Sequence, residues 1–260
     1  MTSAAERPII RWPQGEQAAD ILAVEEPMEI RLGSVPLAVL MRTPGLETEL
    51  VFGFALTEGI VLSPAEIASV EDLGDGARFR LVPAENVQID PEQFRRNTYT
   101  TSSCGVCGKA SIDAVRIAAL ALPLGPRVST GLIAELPSRL REAQSVFEVT
   151  GGLHGAGIFS ATGQLLTIAE DVGLHNAFDK SIGALARQQW PLGEVILMVS
   201  GRISFEITQK AGVAGIPVVA GVSAATTLAA DLATELEMTL CGFVRDEGLV
   251  VYNDEGRLTD

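Results

Sequence analysis

Val195-Ile196-Leu197-Met198-Val199-Ser200-Gly201-Arg202 joins five consecutive apolar residues to a short polar turn. Such a run reads as a strongly apolar strand, and the residues that follow repeat the pattern. A helical stretch from Ser204 to Gly212 leads to a second strand, Pro217 to Ala220, then to a helix from Thr226 to Glu235 and a third strand, Met238 to Phe243. Strands alternating with single helices in this way pair in parallel, with the helices laid on the sheet. Ahead of this unit, Ala156 to Ser160 and Leu165 to Ala169 are joined by Thr162-Gly163 as a hairpin would be, and Leu174 to Gln188 reads as a helix. A final strand pairing falls around Leu249 to Tyr252.

The N-terminal residues have a different texture. Met28 to Leu32 and Val35 to Met41 read as strands separated by the turn Gly33-Ser34. Thr43-Pro44-Gly45 breaks the pattern, and Glu49 to Glu58 places Leu50 and Phe54 on one side of a helix ending at Gly59. Arg78 to Val82 is a third strand. The chain therefore divides into a flexible arm (1–24), a smaller β-rich part (25–96), a polar, mobile loop (97–108) and an α/β core (109–260) that opens with a helix from Lys109 to Leu122. No internal repeat or low-complexity segment is present.

Composition narrows the function. Hydrophobic content of 47% supports a real core, and 19 basic against 33 acidic residues give a net charge of −14. That charge repels a nucleic-acid backbone, and no basic cluster offsets it. It leaves room for a small anionic ligand held by a few arginines and backbone amides. The N-terminus lacks an apolar signal segment, and the long uncharged run from Ala211 to Ala230 carries glycines and a proline that suit a strand, turn and helix better than a membrane span. A cytoplasmic location is expected, without membrane attachment.

Cysteine is scarce, with three in 260 residues, and two of them stand two residues apart in Thr101-Ser102-Ser103-Cys104-Gly105-Val106-Cys107-Gly108. A Cys-x-x-Cys pair serves as half of a zinc site, as a dithiol redox couple, or as a nucleophilic thiolate with a resolving neighbour. Cys107 lies near an expected helix N-terminus, which favours thiolate over thiol. The third thiol, Cys241, sits in an apolar strand and reads as inert core. Without it, a zinc site would have to recruit ligands such as His154 or His175 from far along the chain.

Other polar groups gather in short motifs. His154 is set among glycines in Gly151-Gly152-Leu153-His154-Gly155-Ala156-Gly157, which leaves room for close backbone approach to a ligand, or for a tight turn. Glu170-Asp171-Val172-Gly173-Leu174-His175-Asn176-Ala177-Phe178-Asp179-Lys180 places Asp171, His175 and Asp179 about a turn apart, as either a cofactor-facing surface or a capped helix with a surface Asp/His pair. Ser200-Gly201-Arg202 falls where open α/β sheets bind ligands, outside the carboxyl ends of their strands, and Arg202 suits a phosphate. The full dinucleotide and P-loop glycine patterns are absent.

Taken in order, the Cys-x-x-Cys segment, Gly152-Leu153-His154, the Glu170 to Lys180 motif, Ser200-Gly201-Arg202 and Gly215-Ile216-Pro217 resemble the FdhD family of formate dehydrogenase accessory proteins. The resemblance runs from about Glu25 to Tyr252. It implies a fold similar to cytidine deaminases, a mixed sheet with flanking helices plus the smaller N-terminal part. The deaminase zinc signature is missing here, so no structural metal is expected. The resemblance further implies a sulfur carrier, in which a cysteine desulfurase loads sulfane sulfur onto Cys104 and Cys107. The sulfur then passes to the molybdenum cofactor, bis-molybdopterin guanine dinucleotide, for formate dehydrogenase. It also places Phe243, Val244, Arg245, Asp246, Glu247 and Gly248 at the cofactor; the motifs described above add His154, His175 and Arg202 as candidate cofactor contacts, and a homodimer is possible. A non-catalytic cofactor chaperone and a dithiol redox protein are the competing readings.

Overall fold

A computed structural model describes residues 2–91, 94 and 122–260. The Cys104/Cys107 loop and the helix expected from Lys109 lie outside the described residues.

The chain begins with a hairpin, β1 (Ala4–Arg11) and β2 (Glu16–Ala23), paired antiparallel from Ala4 opposite Ala23 to Arg11 opposite Glu16. A loose arm was expected for residues 1–24. Proline, charges and weak alternation hide the strands, and β2 is supported by β1 and by packing on a helix far along the chain (below). Next come β3 (Glu26–Leu32), β4 (Val35–Arg42), helix α1 (Glu47–Thr57), β5 (Ile67–Asp72) and β6 (Arg78–Pro83), the strands forming a four-stranded sheet in the order β4-β3-β6-β5. The hairpin turn at Gly33-Ser34 is as expected. Strand β5, an edge strand with mostly exposed residues, was not.

The second half contains β7 (Val128–Ser129), α2 (Thr130–Ala143), α3 (Ser145–Thr150), β8 (His154–Ser160), β9 (Leu165–Asp171), α4 (Leu174–Ala186), β10 (Val195–Val199), α5 (Phe205–Val213), β11 (Val218–Gly221), α6 (Thr227–Glu235), β12 (Thr239–Arg245), β13 (Gly248–Asn253) and β14 (Leu258–Thr259). Six strands form a mixed sheet in the order β13-β12-β11-β10-β8-β9. Pairing is parallel across β10, β11 and β12, and antiparallel at both flanks. The three parallel strands and their connecting helices follow the sequence pattern. Helices α2 and α3 escaped it, because Gly131 and Pro137 interrupt the first and α3 is too short to show a period. Ser129 caps α2 by accepting a hydrogen bond from the Leu132 amide, and β2 packs on α3.

Alternation within β10 explains why the central strand is uniformly apolar. Ile196 and Met198 face α2 through Ile133, Leu136 and Leu140, while Val195, Leu197 and Val199 face the other layer, where Ile207 of α5 and Phe178 and Ile182 of α4 lie. Both faces are covered, so no polar residue is tolerated. The second layer is continuous with Met28, Ile30 and Leu81 of the four-stranded sheet, so one core joins that sheet and α1 to the larger sheet.

Helix α1 crosses α4 at close range through two glycines. A methyl group on Gly53 would collide with the Asp179 carbonyl, and one on Gly183 with the Glu49 carbonyl. Replacing Gly53 by alanine is therefore expected to cost about 2 kcal/mol or more in urea unfolding, because backbone cannot yield as a side chain can. Gly131→Ala, on an exposed position of α2 with open space around it, supplies the control and should be neutral or stabilising by up to about 1 kcal/mol. Similar stabilities for both variants would refute the close-crossing account.

Candidate functional site

The carboxyl ends of β10 and β11 and the amino end of β8 meet at one edge of the sheet. The Ser200 amide donates to the Gly155 carbonyl, and the Ser200 hydroxyl accepts from the Gly155 amide at 2.9 Å and lies 3.2 Å from His154 Nδ1. Gly201 is buried because a side chain there would strike Leu174 and press on the His154 ring. The glycines flanking His154 thus keep the ring against the Ser200 turn. Partial burial and the neighbouring His175 hold the His154 pKa below its usual value, against the pull of Asp171, so the ring is neutral at physiological pH.

A groove of about 450 Å³ opens here between the sheet edge and α2/α3. Val172, Val222 and Leu140 give it apolar surface, while His154, Ser200, Arg141 and Gln144 line it with polar groups.

Beside it, strand β12 is distorted. The register slips between Gly242 and Arg245, and Phe243 takes a left-handed backbone conformation at φ 50° with its amide donating to the Ser223 carbonyl. A non-glycine residue in that region is strained and needs outside support, here the Ser223 contact. The distortion turns Phe243 outward, 48% exposed, and brings Arg245 Nη1 to the Val222 carbonyl at the groove rim. Val244 points the other way and is fully buried in the core, so its side chain is unavailable to a ligand, contrary to its place among the expected contacts. Asp246 meets the Ser138 hydroxyl of α2 at 3.2 Å, and Glu247 and Gly248 are exposed at the turn. Arg202 is exposed on the turn after β10.

The Glu170 to Lys180 motif plays a different part. Glu170 accepts the Val146 and Phe147 amides at the start of α3. Asp171 is fully buried: it accepts from the Thr43 amide and from Lys180 Nζ at 2.7 Å on one oxygen, and from the Gly173 amide and Asn176 on the other. Lys180 also donates to the Thr43 carbonyl, and Asn176 to that of Met41. One turn on, Asp179 accepts from Thr57 and from Lys210 Nζ, which also lies 3.1 Å from Glu58. Burial alone would discharge Lys210, but Asp179, Glu58 and Glu206 surround it and hold its pKa above the usual value. His175 Nε2 lies 3.1 Å from Glu206 at the start of α5, largely enclosed. The motif is therefore neither a cofactor surface nor an exposed Asp/His pair. It fastens the N-terminal sheet and α1 to the main sheet, and its lysines supply the countercharge that buried carboxylates require.

Burial pushes the Cys241 thiol up to about 12, which fits inert core. Among the described residues no group of acidic, histidine and cysteine side chains could hold a metal, and no helix is long and apolar enough to cross a membrane. The sequence reading missed Arg141 and Gln144, because they lie on the unrecognised α2 and at its C-cap, and nothing in their neighbours distinguishes them.

A mixed α/β sheet with helices on both faces and a polar groove at its strand ends describes a ligand-binding α/β protein. The FdhD/NarQ family model matches residues 23–259, and the chain belongs to that family. The protein called sulfur carrier protein FdhD in Streptomyces coelicolor is 46% identical, with 97% of this chain and 94% of that protein covered. The protein of the same name in Mycobacterium tuberculosis is 45% identical over 92% of each. A crystal structure described as a formate dehydrogenase accessory protein from Desulfotalea psychrophila superposes with a TM-score of 0.77, at 21% identity and 98% coverage of both chains. It shares the fold.

Proposed function

We propose that this protein is a sulfur carrier for formate dehydrogenase maturation. Cys104 and Cys107 take sulfane sulfur from a cysteine desulfurase and pass it to bis-molybdopterin guanine dinucleotide, bound as substrate at the strand-end groove before delivery to the dehydrogenase. The observation that carries the reading is a polar groove with an arginine at its rim, found in a chain whose relatives over nearly their full length are called sulfur carriers. A cytidine-deaminase-like plan for the fold belongs to the same proposal, supported by the mixed six-stranded order with helices on both faces.

The chemistry begins when the Cys104 thiolate attacks the terminal sulfur of the donor persulfide. The donor S–S bond breaks, its thiolate leaves, and a new S–S bond forms on Cys104 with no net change in oxidation. The Cys107 thiolate then attacks the inner sulfur of that persulfide, hydrosulfide leaves for the cofactor, and the resulting Cys104–Cys107 disulfide is reduced by a cellular dithiol before the next cycle. In the groove, neutral His154 and the Ser200 hydroxyl offer hydrogen bonds without adding charge, and Arg245 supplies the cation that a diphosphate needs. Phe243 flanks Arg245 on the exposed side, and Arg202 is a second cation at the same strand ends. The carrier works in the reducing cytoplasm, where its thiols stay free.

GDP is the simplest probe of the nucleotide ends. Arg245→Ala is expected to weaken GDP binding by about 2 kcal/mol, roughly thirtyfold in calorimetric titration, because an ionic hydrogen bond to phosphate is lost. Equal affinities would remove Arg245 from the site.

A further inference from the structure

Gln144, between α2 and α3 at the foot of the groove, is 4% exposed, and its Nε2 is buried without a hydrogen-bond partner. Its backbone groups are occupied, the amide by the Arg141 carbonyl and the carbonyl by the Glu148 amide, so only the side-chain amide is spare. A buried amide without a partner has lost its water and gained nothing in return, which calls for an explanation in the ligand-bound state. Room for it is built in. A methyl group on Gly155 would come within 2.7 Å of Gln144 Cδ and Nε2, so only glycine at that position lets the side chain lie where it does.

The surroundings restrict what the amide can meet. The Arg141 guanidinium lies over the Phe147 ring, 4.6 Å from its centre, and both line the groove, a flat stacked wall. Leu140, Val172 and Val222 add apolar lining. A flat stacked pair, apolar lining and one amide suit a planar heterocycle that shows the amide a carbonyl oxygen beside a ring N–H. A half-turn of the side-chain amide exchanges its donor and acceptor, so it can match such an edge in either direction.

We infer that Gln144 reads the edge that guanine and pterins share, a carbonyl oxygen, a ring N–H and an amino group in a row, and so sets the base specificity of the groove. This rests on the reading of the groove as the cofactor site.

The test uses the full-length protein, with GDP, ADP and pterin titrated into the wild type, Gln144→Leu and Gln144→Glu. The quantity read is the GDP/ADP affinity ratio within each variant, which a change in folded fraction leaves unaltered. Wild type should prefer GDP by about tenfold or more. Gln144→Leu should erase most of that preference, and Gln144→Glu, an acceptor only when ionised, should keep a preference for GDP, because the ring N–H and amino group of guanine give a carboxylate two adjacent donors where adenine gives one. Pterin is scored by its loss of binding in Gln144→Leu. Loss confined to GDP assigns the guanine end, and loss confined to pterin assigns the pterin end; both support the inference. A wild type that binds GDP and pterin, with the GDP/ADP ratio and pterin affinity the same in all three proteins, overturns it and leaves the cofactor site standing. Failure of wild type to bind either ligand overturns both.

Discussion

Replacing Cys104 by alanine should abolish sulfur loading. After incubation with a cysteine desulfurase and cysteine, the wild-type chain is expected to gain about 32 Da on the peptide containing Cys104 and Cys107, and the variant to gain nothing. Cys104 is placed first because it is the outer thiol of the glycine-flanked segment, whereas Cys107 stands nearer the expected helix. Cys107→Ala should still load and should deliver more slowly. Cys241 cannot substitute, since it is fully buried and its thiol is pushed up to about 12, leaving almost no thiolate at neutral pH. The double variant Cys104→Ala/Cys107→Ala separates carrier from chaperone. It should keep GDP binding, because the groove is formed by α2, α3 and the sheet edge, yet leave the formate dehydrogenase it serves inactive. Full recovery of that enzyme with the double variant as the sole accessory protein would eliminate sulfur transfer through these thiols and establish the chaperone reading.

The second large effect is on stability. Asp171→Ala strands the Lys180 ammonium, 1% exposed, with the Thr43 carbonyl as its remaining partner, and also releases the Thr43 and Gly173 amides and Asn176. Breaking a buried pair by removing one charge costs about 3–5 kcal/mol, a large part of the stability of a domain. Urea unfolding should show this loss, while Glu135→Ala, which removes an exposed partner of Arg139, should change stability by less than about 1 kcal/mol. Asp171→Leu combined with Lys180→Met should recover part of the loss, since the uncompensated charge is then gone. An Asp171→Ala variant as stable as Glu135→Ala would show that this network does not hold the two sheets together.

The central strands were legible because β10, β11 and β12 are short apolar runs joined by single helices, and burial on both faces leaves that pattern in the residues themselves. The turn residues Gly33-Ser34 and Thr162-Gly163 likewise carry their conformation locally. The hairpin at residues 4–23 was not legible, since its strands are held by each other and β2 by α3, partners that no local pattern names. The strand-end location of Ser200 and Arg202 also followed from the order of elements. The inward turn of Val244 did not, because it depends on a register slip against β13.

Chain order alone determined the parallel α/β unit, the strand ends that form its candidate site, and the scarcity and spacing of its thiols. Tertiary structure alone decided the fate of the charges in Glu170 to Lys180. A carboxylate reads the same in sequence whether it meets water, ligand or lysine, and the partners of Asp171 and Asp179 come from Thr43, Thr57 and Lys210, far apart along the chain. Gln144 shows the converse: an ordinary polar residue in sequence, it became informative only when folding buried its amide and gave it nothing to bind.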